Sequence, residues 1–344
     1  MEILNKNHLK TKKQREETVN MSKLQDLIIV GGGPIGLACG LQAKEKNLSF
    51  TIIEKGCLVN SLYNYPQNMT FFSSSDLLEI GDIPFTTTLP KPKRAEALEY
   101  YRRIQEKFDL PIHLFTTVEN IQKTEEDFFE VQTNKGVFRA KNVIVATGFY
   151  DIPMLLNVKG EDLPKVSHYY NDPHYYANQN VIVVGASNSS IDAALETYRK
   201  GANVTLVIRG DEISPRVKYW VRPDILNRIS EGSIDVYYKS NIREIREDEV
   251  DVETPEGKIT LKNDFVLALT GYRPNFSFLE KIGVHVPEES PRIPEHDPKT
   301  METNVKGLYL AGVVCGGLNT HLWFIENSRI HAHIILDHIC SKKE

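Results

Sequence analysis

The chain has 344 residues, 41% of them hydrophobic, enough to bury a substantial core and more naturally divided into two domains than one. Its formal net charge of −5 gives no basic footprint for nucleic acid, and no apolar run is long enough to cross a bilayer, so a soluble protein is expected. Residues 1–23 are polar and mixed in charge, without the apolar stretch and small-residue cleavage site of a secretory signal. A disordered tail is expected there, with Met21 as a candidate start of the fold.

The first predicted element is "DLIIVGGGPIGLACG", Asp26 to Gly40. "LIIV" is short, apolar and β-branched, as suits a strand buried on both faces of a parallel sheet. Gly31, Gly33 and Gly36 then form G-x-G-x-x-G. The first glycine allows a tight turn, the second lets backbone approach a pyrophosphate, and the third lets the following helix sit close to the strand. The helix N-terminus adds free N–H groups and partial positive charge. "SFTIIEKG" reads as the next strand and ends in Glu54, eighteen residues past Gly36, where a carboxylate can accept both ribose hydroxyls of an adenosine half. Tyr63, Tyr65, Phe71 and Phe72 could wall a flavin or equally pack in the core. "NVIVATGFY" is a further strand, stopping at Thr147-Gly148.

A second unit of the same kind follows in "VIVVGASNSSIDAALE", Val181 to Glu196. Gly185 keeps the first glycine, and Ser187 and Ser190 stand where the others would be. Its second strand, "VTLVIRGD", ends in Arg209 where the first unit has Glu54. A guanidinium there can bind a 2′-phosphate, with Arg216 and Lys218 nearby to help, so NADPH is expected over NADH. Opposite ribose signatures predict two different nucleotides, FAD in the first unit and NADPH in the second. "FVLALTGYRPN" stops at Thr270-Gly271, like Thr147-Gly148, and the two look like paired crossings between domains. His168, Tyr169 and Tyr170 could form a substrate mouth or a linker. "GLYLAGVV" is the expected last strand, and "HLWFIENSRIHAHIILDHI" reads as a closing helix whose N-terminal end could face the flavin.

The predicted fold is therefore α/β, with two Rossmann-like, three-layer ββα dinucleotide-binding domains. Residues 24–152 and 264–344 would form a discontinuous FAD-binding domain, with an NADPH-binding domain inserted over 153–263. The four cysteines, Cys39, Cys57, Cys315 and Cys340, are scattered, with no C-x-x-C pair. That argues against a disulfide framework and a zinc ribbon and suits a reducing cytoplasm. His331 and His333 would point about 200° apart on a helix, so they cannot chelate one ion together, and no metal is expected.

This order of motifs resembles the pyridine nucleotide-disulfide oxidoreductases of thioredoxin reductase size. "EKGCLVNSLYNYPQNMTFFSSSDLLEIGDIPF", "LPKVSHYYNDPHYY", "SSIDAALE" and "FIEN" further resemble the YpdA-type bacillithiol-disulfide reductases. The resemblance implies a cytoplasmic homo-oligomer that binds FAD, takes hydride from NADPH and reduces a low-molecular-weight disulfide or related acceptor. The FAD residues would be Gly31, Gly33, Pro34, Ile35, Gly36, Glu54, Lys55, Asn64, Val118, Thr147, Gly148, Gly312 and Val313; the NADPH residues would be Gly185, Ser187, Asn188, Ser189, Arg209 and Gly271.

Three departures bear on the chemistry. The stretch before the second loop, Ser167 to Asn180, has no cysteine, so the dithiol of thioredoxin reductases is missing. The cysteine that YpdA-type proteins commonly carry after the first-loop proline is here Ile35, which cannot attack a disulfide. The Gly-Asp that usually ends the last strand is Gly312-Val313, so backbone N–H groups would have to hold that part of the flavin. Cys315, three residues on, is the candidate for a compensating thiol, with a small packed thiol as the alternative; no catalytic residue is otherwise assigned. Other acceptors remain open on the sequence: a quinone, a metal complex, or a redox partner of ferredoxin type. A flavin monooxygenase lacks its F-x-G-x-x-x-H fingerprint here, and a nucleotide-bound sensor without turnover is the reading from another class.

Overall fold

A computed structural model describes residues 23–342; the expected tail over 1–23 lies outside the described residues except for Lys23. The chain divides into two compact units. One comprises the described residues through Asn64, Ser73–Ile152 and Arg273 onward; the other comprises Tyr65–Phe72 and Pro153–Tyr272.

The first unit is built on parallel strands in the order Ile112–His113, Phe50–Ile53, Leu24–Val30, Gly136–Val145 and Leu308–Leu310. Gly136–Val145 serves two neighbours along one edge. Its first half pairs antiparallel with Phe129–Thr133, which pairs in turn with Val118–Lys123, and its second half pairs parallel with Leu308–Leu310. Leu27, Ile28 and Ile29 are fully buried, so both faces of the central strand are covered and the sequence reads as a continuous apolar run. The helix Pro34–Glu45 is buried along Pro34–Ala43, because it lies between the sheet and the last helix, Ile330–Ser341. Gly40 permits that approach: a Cβ there would stand 2.8 Å from Ile52.

The second unit repeats the plan. Its parallel sheet runs Asp235–Tyr237, Asn203–Val207, Asn180–Val184, Phe265–Ala268 and Val166–Ser167, beside an antiparallel meander, Asn241–Ile245, Glu249–Thr254 and Gly257–Lys262. Alternation along the central strand builds two cores. Val181 and Val183 join Ile191, Leu195 and Leu267 on one face, and Ile182 and Val184 join Val250, Val252 and Val266 on the other. This is the three-layer arrangement of helix, parallel sheet and meander. Leu267→Ala is expected to cost about 2–5 kcal/mol of stability, read as a lower urea midpoint at unchanged m-value.

Two expected boundaries differ. Phe265–Ala268, placed by the sequence in the returning first domain, pairs with Asn180–Val184 of the second unit, Val266 opposite Ile182. The chain re-enters the first unit only at Arg273, because parallel pairing outweighs position in the chain. The closing helix also starts later than expected. Residues 321–324 are not helical, and a single turn Ile325–Ser328 precedes Ile330–Ser341. There Asn327 accepts the Phe324 N–H at 2.7 Å and donates to the Leu322 carbonyl at 2.9 Å, so side-chain bonds replace the helical ladder.

Candidate functional site

In the first unit, Val30 is level with Ile53 and Val145, and Val145 with Leu310. The segments leaving these strands therefore emerge at one edge of the sheet, where open α/β folds bind ligands. They carry Gly31–Gly36, Glu54–Lys55, Thr147–Gly148 and Gly312–Val313.

Gly31 has φ +112°, and a Cβ there would collide with the Ala146 carbonyl oxygen and lie 3.3 Å from the Thr147 nitrogen. A Cβ on Gly36 would collide with the Gly31 carbonyl, so the helix presses on the turn. Gly33 is different. Its φ is −75°, which any residue can adopt, and a Cβ would meet nothing within 4 Å. Open space thus stands over Gly33, beside a first helical turn that starts at Pro34 and leaves the Ile35 and Gly36 N–H groups without intrahelical acceptors.

Glu54, 6% exposed, accepts the Gly32 N–H at 2.7 Å and the Gly56 N–H at 2.8 Å. Burial raises its pKa, and those two amides oppose the rise. Each oxygen keeps a further lone pair for a hydroxyl. Gly32 and Gly56, which hold this carboxylate, were not singled out by sequence; for Gly32 the signal was a glycine at the free position between Gly31 and Gly33. Lys55 pairs with Asp151 at 2.6 Å.

Ile35 lies against Gly312, where a Cβ would stand 3.2 Å from it, and Val313 flanks Gly148. The Gly312 N–H is not free for a ligand, contrary to expectation: it donates to His331 Nδ1 at 3.1 Å. Asn64 ends the short helix Asn60–Tyr63, and its carbonyl accepts the Tyr150 hydroxyl at 3.3 Å. Val118 opens the meander opposite Thr133, two residues past Thr116, whose N–H donates to the Glu54 carbonyl.

Cys315 is 1% exposed, its thiol is pushed far up by burial, and its sulfur is 3.9 Å from His331 Nδ1. A buried, protonated thiol is a poor nucleophile, so the geometry favours the packed thiol over the compensating role. Burial also holds His331 down to about 4, with Cys315 and His296 the titratable groups that face it. The unfolded imidazole takes its proton near pH 6.5. Stability from this site is therefore present above about pH 6.5 and lost as pH falls toward 4, by up to about 3 kcal/mol. Urea midpoints at neutral and acid pH check this, with His331→Asn removing that part of the acid loss. His333, by contrast, is exposed.

The second unit gathers its loops in the same way, with Val184 level with Val207 and Ala268. Gly185 has φ +132°, and a Cβ there would stand 2.7 Å from the Leu269 carbonyl. Ser190, fully buried, accepts the Ser187 N–H at 3.1 Å and donates to its carbonyl at 2.9 Å. Asn188 opens the helix Asn188–Arg199, accepting the Lys218 N–H at 2.9 Å and donating to the Arg216 carbonyl at 3.2 Å. Ser189 is exposed in that first turn, Gly271 follows the strand Phe265–Ala268, and Arg209 is exposed beyond Asn203–Val207. Lys218 does not join Arg209 as expected; it is buried and paired with Asp192 at 2.6 Å.

The aromatic residues singled out in the sequence make ring and polar contacts within their own units, with Tyr63 and Phe72 still exposed. Phe72 stacks on Trp220 at 5.9 Å, Phe71 is buried near Tyr65, and the Arg94 guanidinium lies over the Tyr63 ring. Tyr170 donates to Glu196 at 2.7 Å, Tyr169 stacks on Tyr272, and His168 lies 3.4 Å from Glu161. No helix among the described residues is long and apolar enough to cross a membrane.

Comparison with known proteins agrees with this architecture. Bacilliredoxin reductase Bdr of Bacillus subtilis is 44% identical over 317 residues, covering 92% of this chain and 98% of that protein. The structure of bacillithiol disulfide reductase Bdr (YpdA) from Bacillus cereus superposes with a TM-score of 0.90 at 42% identity, covering 93% of this chain and 100% of that one. The ferredoxin–NADP reductase of Halalkalibacterium halodurans is 25% identical over 304 residues, 85% of this chain and 86% of that protein. Residues 28–312 match the family model of the pyridine nucleotide-disulphide oxidoreductases, and with the duplicated strand–turn–helix units this makes the chain a member of that family.

Proposed function

We propose that the protein is an NADPH-dependent flavoenzyme, with FAD seated at the strand ends of the first unit and NADPH at those of the second. One observation carries the reading: the same strand–glycine turn–helix occurs twice, followed by a carboxylate, Glu54, in one unit and a free guanidinium, Arg209, in the other. FAD and NADPH are its cofactors. The residues fit them, because Gly33 leaves open space for a pyrophosphate and Glu54 keeps lone pairs for ribose hydroxyls. The FAD-binding domain is then the first unit, with the chain from Arg273, and the NADPH-binding domain is the second, 153–272 joined by Tyr65–Phe72.

With both nucleotides bound, hydride from NADPH reduces the flavin, whose two electrons, with two protons, convert a disulfide to two thiols. The chain's part is to hold the two nucleotides. Gly31 sets the first turn, Glu54 grips the ribose, Ile35 and Val313 exclude water beside the Thr147–Gly148 turn, and Arg209 selects the 2′-phosphate. No cysteine relay takes part. Cys39 is buried with its thiol pushed up to about 12, Cys315 is buried, and the half-buried Cys57 is also raised.

The acceptor we assign is a low-molecular-weight disulfide of the bacillithiol type, met without a thiol of this chain. The lack of an exposed cysteine pair among the described residues favours a second reading, a redox-protein acceptor of ferredoxin type. A cytoplasmic homo-oligomer is in keeping with the family resemblance and the four free cysteines. To test the acceptor, NADPH-reduced protein is mixed anaerobically with bacillithiol disulfide or with oxidised ferredoxin. Flavin colour should return with the disulfide as thiols appear; return with ferredoxin alone would replace the disulfide reading with the second one.

A further inference from the structure

We propose that His331 is a positioning residue for the flavin, locking the Gly312–Val313 turn; this rests on the reading of the first unit as the FAD site. The turn leaves the strand Leu308–Leu310 at the ligand-binding edge and has no side chain able to grip a polar cofactor chain. Its backbone is fixed from behind. The Gly312 N–H donates to His331 Nδ1 at 3.1 Å, so the ring is an acceptor there and carries its proton on Nε2. The imidazole is 1% exposed and held edge-on to Trp323, with ring centroids 4.5 Å apart at 75°. From the front, Ile35 packs on Gly312, and Val313 lies beside Gly148.

The turn is thereby clamped between the first glycine loop and the closing helix Ile330–Ser341, to which His331 belongs. Other fixed anchors lie around the same edge, but none of them holds this turn by a hydrogen bond to its leading amide. Without the acceptor, a buried N–H would be orphaned, and the turn would shift to satisfy it at the expense of the surface offered to the flavin.

The experiment compares wild type with His331→Leu, which removes the acceptor, and His331→Asn, whose amide oxygen can stand where Nδ1 stands. FAD is titrated into apoprotein, and the flavin spectrum and midpoint potential are recorded. His331→Leu should bind FAD about tenfold or more weakly, with a displaced potential, while binding of NADPH to the second unit is unchanged. His331→Asn should stay within about threefold of wild type. Wild-type affinity and potential in His331→Leu would overturn the proposal, as would a loss in His331→Asn equal to that in His331→Leu. If His331→Leu does not fold, His331→Asn decides alone: affinity near wild type supports the clamp, and a tenfold loss overturns it. Wild-type protein that takes up no FAD would instead sink the flavoenzyme reading, and this proposal with it.

Discussion

Gly33→Val is expected to fold normally and to purify without flavin. Glycine at this position answers no demand of the backbone, since φ is −75° and a Cβ would enter empty space. What the absent side chain preserves is the approach of a ligand to the loop. Two methyl groups there would stand where a pyrophosphate has to lie, weakening FAD binding by at least about 100-fold, or ~3 kcal/mol. Gly36→Val makes the contrasting control. Its Cβ collides with the Gly31 carbonyl, so the cost falls on the apoprotein itself. Flavin content measured beside thermal unfolding separates the two: a folded Gly33→Val with full flavin would show that the open space is not the pyrophosphate seat.

Arg209→Ala is expected to lower kcat/KM for NADPH by about 30-fold, near 2 kcal/mol for a charge-assisted bond, with little change for NADH. The side chain is exposed at the end of the second strand of its unit, and Lys218 does not replace it, being committed to Asp192. Removing Lys218 should therefore alter stability rather than coenzyme choice. Equal losses for both coenzymes in Arg209→Ala would remove the 2′-phosphate role.

What could be read from the sequence was what is dictated locally. The two strand–turn–helix units were visible because a left-handed turn residue, a helix start and a β-branched strand are each encoded within a few residues. Glu54 and Arg209 were visible because they follow those strands at a set distance. The domain crossings were located only approximately. Phe265–Ala268 looks apolar wherever it is placed, and only its pairing with Asn180–Val184, far away in the chain, assigns it to the second unit. The same holds for Tyr65–Phe72, which joins the second unit although it lies within the chain of the first; Gln67 donates its N–H to the Asn171 carbonyl.

The sites show the same limit. His331 was read only as half of an unworkable metal pair, since nothing near it in sequence announces that its ring accepts the Gly312 N–H. Cys315 was a candidate by its distance from Gly312, but the short helix Gly312–Gly316 turns it inward to 1% exposure. Lys218 looked like a phosphate ligand until the loop carrying it proved to be fastened to Asn188 and Asp192. In each case a long-range contact decides the role, and periodicity carries no information about it.

Anaerobic titration of the flavin-loaded protein with NADPH bears most directly on two unlike nucleotides working in one chain. One equivalent of NADPH per flavin should bleach the yellow colour fully, and Arg209→Ala should need a much higher NADPH concentration to reach the same rate. Flavin that stays oxidised under excess NADPH, or protein that folds yet takes up no flavin, would contradict it.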